Sequence, residues 1–241
     1  MTLLKLPFLI STTWGINFTM TPPQSPPPQK ERVPPTGLEL VAPWFPIVAK
    51  VGGHYVVQAS FWVLAVCEAS IILTDCIDHP FSSEVRHLLT GHPNSSGRIY
   101  ISPLFLSGWF MNLVGTLLRR HCYRMLDSLF TFELSIRKNH HLVTTGPYSV
   151  VRHPSYTGAI LSGVGVALCH LSRGSWLLEC SGILPDSWLI FWSILGFGAF
   201  VVTMALGSRM KKEDTILKER FGNQWVQWAT RVRYKLFPGV I

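Results

Sequence analysis

WLIFWSILGFGAFVVTMALG, residues 188–207, carries no charged side chain over its whole length. About twenty apolar residues is the length of helix that crosses the hydrocarbon core of a bilayer. YISPLFLSGWFMNLVGTLL, residues 100–118, is equally free of charge, and HYVVQASFWVLAVCEASIIL, residues 54–73, is interrupted at Glu68. A fourth apolar segment covers 157–171 and resumes over 176–187 after a break at Arg173-Gly174. Residues 3–20 are the weakest candidate. They read either as a first span or as a signal peptide, and the want of a clear small-residue cleavage site before the proline-rich segment favours an uncleaved span. The composition agrees: 48% of the chain is hydrophobic and 14% charged, against about 25% charged in soluble domains. The predicted fold class is an all-α integral membrane protein with about five transmembrane helices and a C-terminal amphipathic cytosolic helix.

The net charge of +8 raises the question of a nucleic-acid partner, so its distribution matters. With spans near 3–20, 54–75, 100–118, 157–180 and 188–207, seventeen of the twenty-one Lys and Arg residues fall in alternate connections, at 21–53, 119–156 and from 208 onward. The positive-inside rule places those three in the cytosol. The charge is therefore mostly a matter of topology, with some attraction to anionic headgroups of the lipid bilayer, and no nucleic acid is expected. Five cysteines without a C-x-x-C pair give neither a disulfide framework nor a metal site.

Three segments organise the chain: a doubtful first span with its linker (1–52), spans two and three with an interfacial helix (53–136), and a C-terminal region with a helical hairpin and tail (137–241). Residues 21–36 hold seven prolines and read as an extended linker. The connection 76–99, with His-Pro dipeptides and the cluster Asn94-Ser95-Ser96-Gly97, reads as a non-cytosolic loop. Asn94-Ser95-Ser96 also fits a glycosylation acceptor pattern, common by chance. Residues 119–143 suit an interfacial helix followed by a short extended piece. In the tail, Ile216, Leu217, Phe221, Trp225 and Trp228 recur at helical spacing with an interruption at Gly222, giving an amphipathic helix suited to lying on headgroups.

One polar, turn-prone stretch stands against the fourth apolar segment: TTGPYSVVRHPSYTG, residues 144–158. Gly146-Pro147 marks a tight turn. Pro154 fits the first turn of a helix, where its missing N–H is not needed. The helix thus opens near 153–155 at the cytoplasmic face, and its N–H groups and dipole favour electron-rich atoms there. Two readings are open: an interfacial anchor of Tyr and Arg, or the wall of a polar pocket. Beyond the last span, Arg209 and Glu213 stand at i and i+4. That spacing makes either a surface ion pair or two groups facing a cavity shared with the stretch above. Arginine's planar fork suits a carboxylate, and tyrosine faces attract methylated cations, sulfonium-like groups included.

HHLVTTGPYSVVRHPSYTG, followed by RMKKEDTILKERFGNQWVQW, resembles the isoprenylcysteine carboxyl methyltransferase family. The first block fits an L-V-x-x-G-x-Y…R-H-P-S-Y-x-G pattern, and the second an R-x-x-x-E…F-G-x-x-aromatic-x-x-aromatic tail, together covering 140 to 228. The resemblance implies an endoplasmic reticulum membrane enzyme that uses S-adenosyl-L-methionine. Its reaction would methylate the C-terminal carboxylate of a prenylated cysteine in processed CaaX proteins, at a site facing the cytosol. His140, His141, Leu142, Val143, Tyr148, His153, Pro154, Ser155, Tyr156 and Glu213 would line the cofactor. Arg209 would hold the substrate carboxylate and serve as the catalytic residue. Two departures stand out. Lys211-Lys212-Glu213-Asp214 replaces a longer acidic run, and a family glutamine falls near Glu133, to which no role is carried over.

Three other readings make different demands. A phospholipid N-methyltransferase has no use for Arg209, whose charge repels an ammonium nucleophile. A sterol reductase-like enzyme needs extra cations for an NADPH phosphate and a longer multispanning body. A non-enzymatic membrane scaffold needs no cofactor, so His153 and Glu213 would be dispensable to it.

Overall fold

The computed structural model describes residues 2–32, 53–77, 79–90, 99–132, 134–135, 140–182 and 188–239. Among these the chain is helical, with an isolated bridge between Arg32 and Ser135 as the sole extended pairing. The α-helices are α1 (Lys5–Met20), α2 (Gly53–Thr74), α3 (Pro80–Leu89), α4 (Pro103–Leu126), α5 (Pro154–Leu171), α6 (Trp176–Glu179), α7 (Trp188–Phe221) and α8 (Asn223–Arg231). Long helices stand at the apolar segments, but the expected fourth span, 157–180, is broken: α5 ends at Leu171, and Gly174 at φ 83° separates it from the four-residue α6. One stretch among the described residues, Tyr55–Thr74 of α2, is both long and apolar enough to cross a membrane by length and composition.

Three expectations from the sequence need revision. The helix through 100–118 does not stop there. The next eight residues contain neither proline nor glycine, so α4 runs on to Leu126, and among the described residues of 119–143 no separate interfacial helix forms. It closes in a 3-10 turn at Asp127–Leu129, with Asp127 at φ 43°, a left-handed conformation that Asp tolerates better than most residues. The segment 188–207 likewise continues through the charged residues to Phe221 as one helix of 34 residues. It ends at Gly222, whose φ of 52° only glycine adopts freely. The connection 76–99 is not all loop. Its first His-Pro dipeptide starts α3, with the His79 side chain accepting from Phe81 N–H and Pro80 at the first position, both ordinary helix-start devices. The Asn94-Ser95-Ser96 pattern, Glu133 and the last residues of the proline-rich linker lie outside the described residues.

The chain clusters into two compact units. The first comprises Met1–Met20, His54–Thr116 and Leu161–Gly196. Its core holds Leu9, Ile71, Ile72, Ile99, Phe105, Cys169, Trp176 and Cys180. Within it α1 is fastened by a buried ion pair: Lys5 Nζ lies 2.6 Å from Glu68 Oε1 and donates to the Gly174 carbonyl at 2.7 Å. Glu68 also accepts from the Trp176 backbone N–H at 3.2 Å. Helices α4 and α5 approach at two glycines. A Cβ built on Gly165 would come within 2.5 Å of the Gly108 carbonyl and of Asn112 N, so only a residue without a side chain permits the contact, as at small-residue crossings of membrane helices.

The second unit comprises Thr21–Gly53, Leu117–Ile160 and Phe197–Ile241. Cys122, Tyr148, Trp228 and Val232 form its core, with Leu142, Val143 and Trp225 packed against them. The apolar positions of the tail therefore meet the protein itself: Trp228 is 3% exposed, where the sequence suggested a face resting on headgroups.

Removing one partner of a buried ion pair typically costs about 3–5 kcal/mol, whereas replacing both by apolar groups is often near neutral. Lys5→Met is therefore expected to lower the thermal midpoint of the purified protein, and Lys5→Met combined with Glu68→Leu to recover most of the loss. Equal midpoints for wild type and Lys5→Met would contradict the fastening role.

Candidate active site

The stretch from 140 to 157 is shaped by its turn residues. Gly146 adopts φ 58°, and Pro147 opens the 3-10 turn Gly146–Ser149, which turns Tyr148 inward to 7% exposure. The Trp228 indole N–H donates to the Tyr148 carbonyl at 3.0 Å. The next residues pair with the tail. Arg152 N–H donates to the Tyr234 carbonyl at 2.9 Å, and His153 N–H to the Lys235 carbonyl at 2.8 Å. Pro154 then starts α5, as its chemistry predicts, and Thr157 Oγ1 donates to the Leu236 carbonyl at 2.7 Å.

These bonds revise the expected anion-binding helix start. The N–H groups of Tyr156 and Thr157 already donate to the His153 carbonyl. The polarity of the site comes instead from side chains. Arg209 Nε donates to the Tyr156 hydroxyl at 2.8 Å, and that hydroxyl donates to Glu213 Oε2, also at 2.8 Å. Arg209 and Glu213, one helical turn apart on α7, thus share Tyr156 as a partner. Arg209 Nη2 also donates to the Phe132 carbonyl. Behind them Asp214 accepts from Arg152 at 3.1 Å and lies 3.1 Å from His153 Nε2.

A cavity of about 310 Å³ opens against this network, and every residue that lines it belongs to the second unit. His140, His141, Leu142, Val143, Tyr148, His153, Ser155, Tyr156, Arg209 and Glu213 all border it. Pro154 does not; it is buried and serves to open the helix. Several lining residues went unsingled in the sequence. Arg119 donates through Nη1 to the carbonyl and hydroxyl of Ser155, at 3.0 Å each, and its guanidinium lies over the rings of Tyr123, Phe130 and Phe132. Its position directly after an apolar segment made it one more topology-setting charge. The Ser155 contact, between residues 36 positions apart, and the rings under its guanidinium distinguish it. Part of the apolar wall, Leu206, Ile216 and Leu217, comes from α7, and Leu126, Phe130 and Ala159 extend it from other elements.

Burial first, and then the nearby Glu213 carboxylate, hold the Tyr156 hydroxyl well above the ordinary phenol range. Burial does the same for Tyr148. Both rings therefore stay neutral and present apolar faces, and the Tyr156 hydroxyl keeps the proton that it donates to Glu213. The site combines guanidinium groups, a carboxylate and tyrosine rings in a partly enclosed space. Such a set can hold an anion at one point and a cation against rings and carboxylate at another.

Tyr156→Phe leaves Arg209 and Glu213 without their shared partner. A hydrogen bond to a charged group contributes about 1.5–3 kcal/mol, so kcat/KM for a reaction carried out at this site is expected to fall by about 10- to 100-fold. In wild type the raised Tyr156 keeps its proton, and no activity loss from its ionisation is expected as pH rises to about 10, the ordinary phenol value. A loss of activity below that pH that disappears in Tyr156→Phe would contradict the assignment.

Comparison with known proteins agrees with the resemblance in the sequence. A family model described as the isoprenylcysteine carboxyl methyltransferase (ICMT) family matches residues 108–193. That match contains the Arg152–Tyr156 block and stops before Arg209 and Glu213. Protein-S-isoprenylcysteine O-methyltransferase B of Arabidopsis thaliana is 33% identical over 129 residues, covering 52% of this chain and 55% of its own length. Protein-S-isoprenylcysteine O-methyltransferase A of the same organism is 30% identical over 129 residues, with the same coverage. The chain thus spans about half the length of the curated relatives it matches. Residues 108–193, which include one of the two blocks that build the cavity, are thus similar to the isoprenylcysteine carboxyl methyltransferase family.

Proposed function

We propose that the protein is an S-adenosyl-L-methionine-dependent methyltransferase acting on the C-terminal carboxylate of a prenylated cysteine in processed CaaX proteins. In this reading it sits in the endoplasmic reticulum membrane, crosses it about five times through α1, α2, α4, α5 and α7, and opens its site to the cytosol. The observation that carries the proposal is the shared hydroxyl of Tyr156, which draws Arg209 and Glu213 to the same wall of one cavity as the 140–156 stretch. The membrane part rests on the apolar residues left exposed in the first unit. Tyr55, Val56, Val63 and Val66 on α2, and Phe110 on α4, all face outward, a pattern that soluble monomers rarely show as contiguous surface.

The residues present fit the cofactor. Among the described residues the buried Tyr148 hydroxyl has no hydrogen-bond partner beyond the weakly interacting Cys122 thiol, and it lies beside a cavity that Glu213 and Tyr156 also border. An ammonium or sulfonium is at home against a carboxylate and tyrosine rings. His140 to Val143, Tyr148, His153, Ser155, Tyr156 and Glu213 would hold the cofactor, with Pro154 setting the backbone there. When bound, S-adenosyl-L-methionine supplies a methyl group made electrophilic by its sulfonium.

The chain's own contribution is placement. A terminal carboxylate has a reference pKa near 3.5, so at neutral pH it is already charged and no residue need remove a proton. Arg209 would orient it through the guanidinium fork. Tyr156 accepts from that guanidinium at Nε and the Phe132 carbonyl accepts from Nη2, and together they fix its plane against the cavity. Holding two reactants aligned at contact distance can contribute about 7–11 kcal/mol. The methyl ester product is neutral and has lost its charge attraction to Arg209, which favours its release. The same guanidinium disfavours the positive charge that develops on an amine as its nitrogen takes the methyl group, and so argues against headgroup N-methylation.

Membranes containing the chain, supplied with methyl-labelled S-adenosylmethionine and N-acetyl-S-farnesylcysteine, are expected to form a base-labile methyl ester. Removing a charged partner that acts in the transition state costs about 10²–10³-fold, so Arg209→Ala and Glu213→Ala should reduce the signal at least that far. Methylation of phosphatidylethanolamine without ester formation would replace this reading with the headgroup reaction. Full activity in Arg209→Ala would overturn the site.

A further inference from the structure

We propose that Asp214, which does not border the cavity, is the positioning residue that sets the cofactor wall of the site. The inference rests on reading that wall as the one facing the methyl donor. Glu213 and Asp214 are neighbours on α7, about 100° apart around the helix axis. Glu213 faces the cavity, and Asp214 turns behind it to 9% exposure. There both of its oxygens are engaged. Oδ2 accepts from Arg152 Nη1, and Oδ1 lies 3.1 Å from His153 Nε2.

His153 is 3% exposed, and its ring lies between two carboxylates. Nε2 meets Asp214 at 3.1 Å, while Nδ1 stands 3.9 Å from Glu213 Oε1. The backbone of Arg152 and His153 is tied to the tail carbonyls of residues 234 and 235, which fixes the chain but not the ring. The ring's rotation, and so the edge it presents toward Glu213, is set by the bond to Asp214. One carboxylate thereby links α7 to the 152–153 strap at two points and places the His153 edge, Glu213 and Tyr156 as a group.

The test uses the full chain in lipid nanodiscs with S-adenosylhomocysteine as the binding probe. Removing a partner that orients a ligand-binding group typically costs about 10- to 100-fold in affinity. That loss is expected for Asp214→Asn, with a matching rise in KM for S-adenosylmethionine, while KM for the prenylcysteine acceptor and kcat hold to within about threefold. Asp214→Glu, which keeps the charge, should recover part of the affinity. Asp214→Asn added to His153→Gln should cost little more than His153→Gln alone, because the two side chains act as one unit. Probe affinity within twofold of wild type in Asp214→Asn overturns the proposal. So do additive losses in the double variant, or equal losses in acceptor KM, cofactor KM and kcat together with a collapsed thermal midpoint. If wild type binds the probe and Asp214→Asn does not, yet no prenylcysteine ester forms, the acceptor assignment falls and the positioning role stands. Wild type that binds no probe overturns both.

Discussion

The hydroxyl of Tyr156 accepts from one charged side chain and donates to another, and the candidate site depends on that double role. Arg209 and Glu213 are spaced so that, on an isolated helix, they would reach for each other along the surface. With a neutral phenol between them, the guanidinium bonds on one side of the oxygen and the carboxylate on the other. The cost of removing these charges from water is offset by bonds that keep both in place. The phenol stays neutral because burial and the adjacent carboxylate both oppose its ionisation. That neutrality is what allows one atom to serve as acceptor and donor at once.

A second constraint holds Tyr156 where it is. Proline at 154 gives α5 a start that needs no N–H, and the two residues before it satisfy their N–H groups on the carbonyls of Tyr234 and Lys235. The tail reaches those positions because Gly222 permits the turn that ends α7, after which α8 buries Trp228 against Tyr148. Turn chemistry, a helix start and one buried indole thus combine to bring residues separated by some eighty positions to the same cavity.

Much of this was readable from residue types. Gly146, Pro147 and Pro154 carry strong local preferences, and the structure places the turn and the helix start where those preferences put them. Arg209 and Glu213 stood out because charge directly after an apolar segment is conspicuous at helical spacing. The helix ends were less legible. The sequence suggested stops at 118 and 207, where apolarity ends, but a helix stops for backbone reasons. Both run on until Asp127 or Gly222 adopts a left-handed conformation. Arg119 and Asp214 were hidden for another reason. Each acts through a contact far away in sequence, Arg119 on Ser155 and Asp214 on Arg152 and His153, and no local pattern encodes such a pairing. The tail's apolar side was visible, but what it packs against was not. A buried Trp228 and a lipid-facing one leave the same periodicity.

In the proposed reading, residues 140–156 and the α7 segment around Glu213 wall a single methyl-donor site. Direct photolabelling tests it without assuming an acceptor: irradiate the membrane-embedded protein with radiolabelled S-adenosylmethionine, digest it, and map the labelled peptides. Label on peptides from both 140–156 and 206–221, each competed by S-adenosylhomocysteine, is the predicted result. Competable label confined to one of these blocks, or found only among residues of the first unit, would contradict the account.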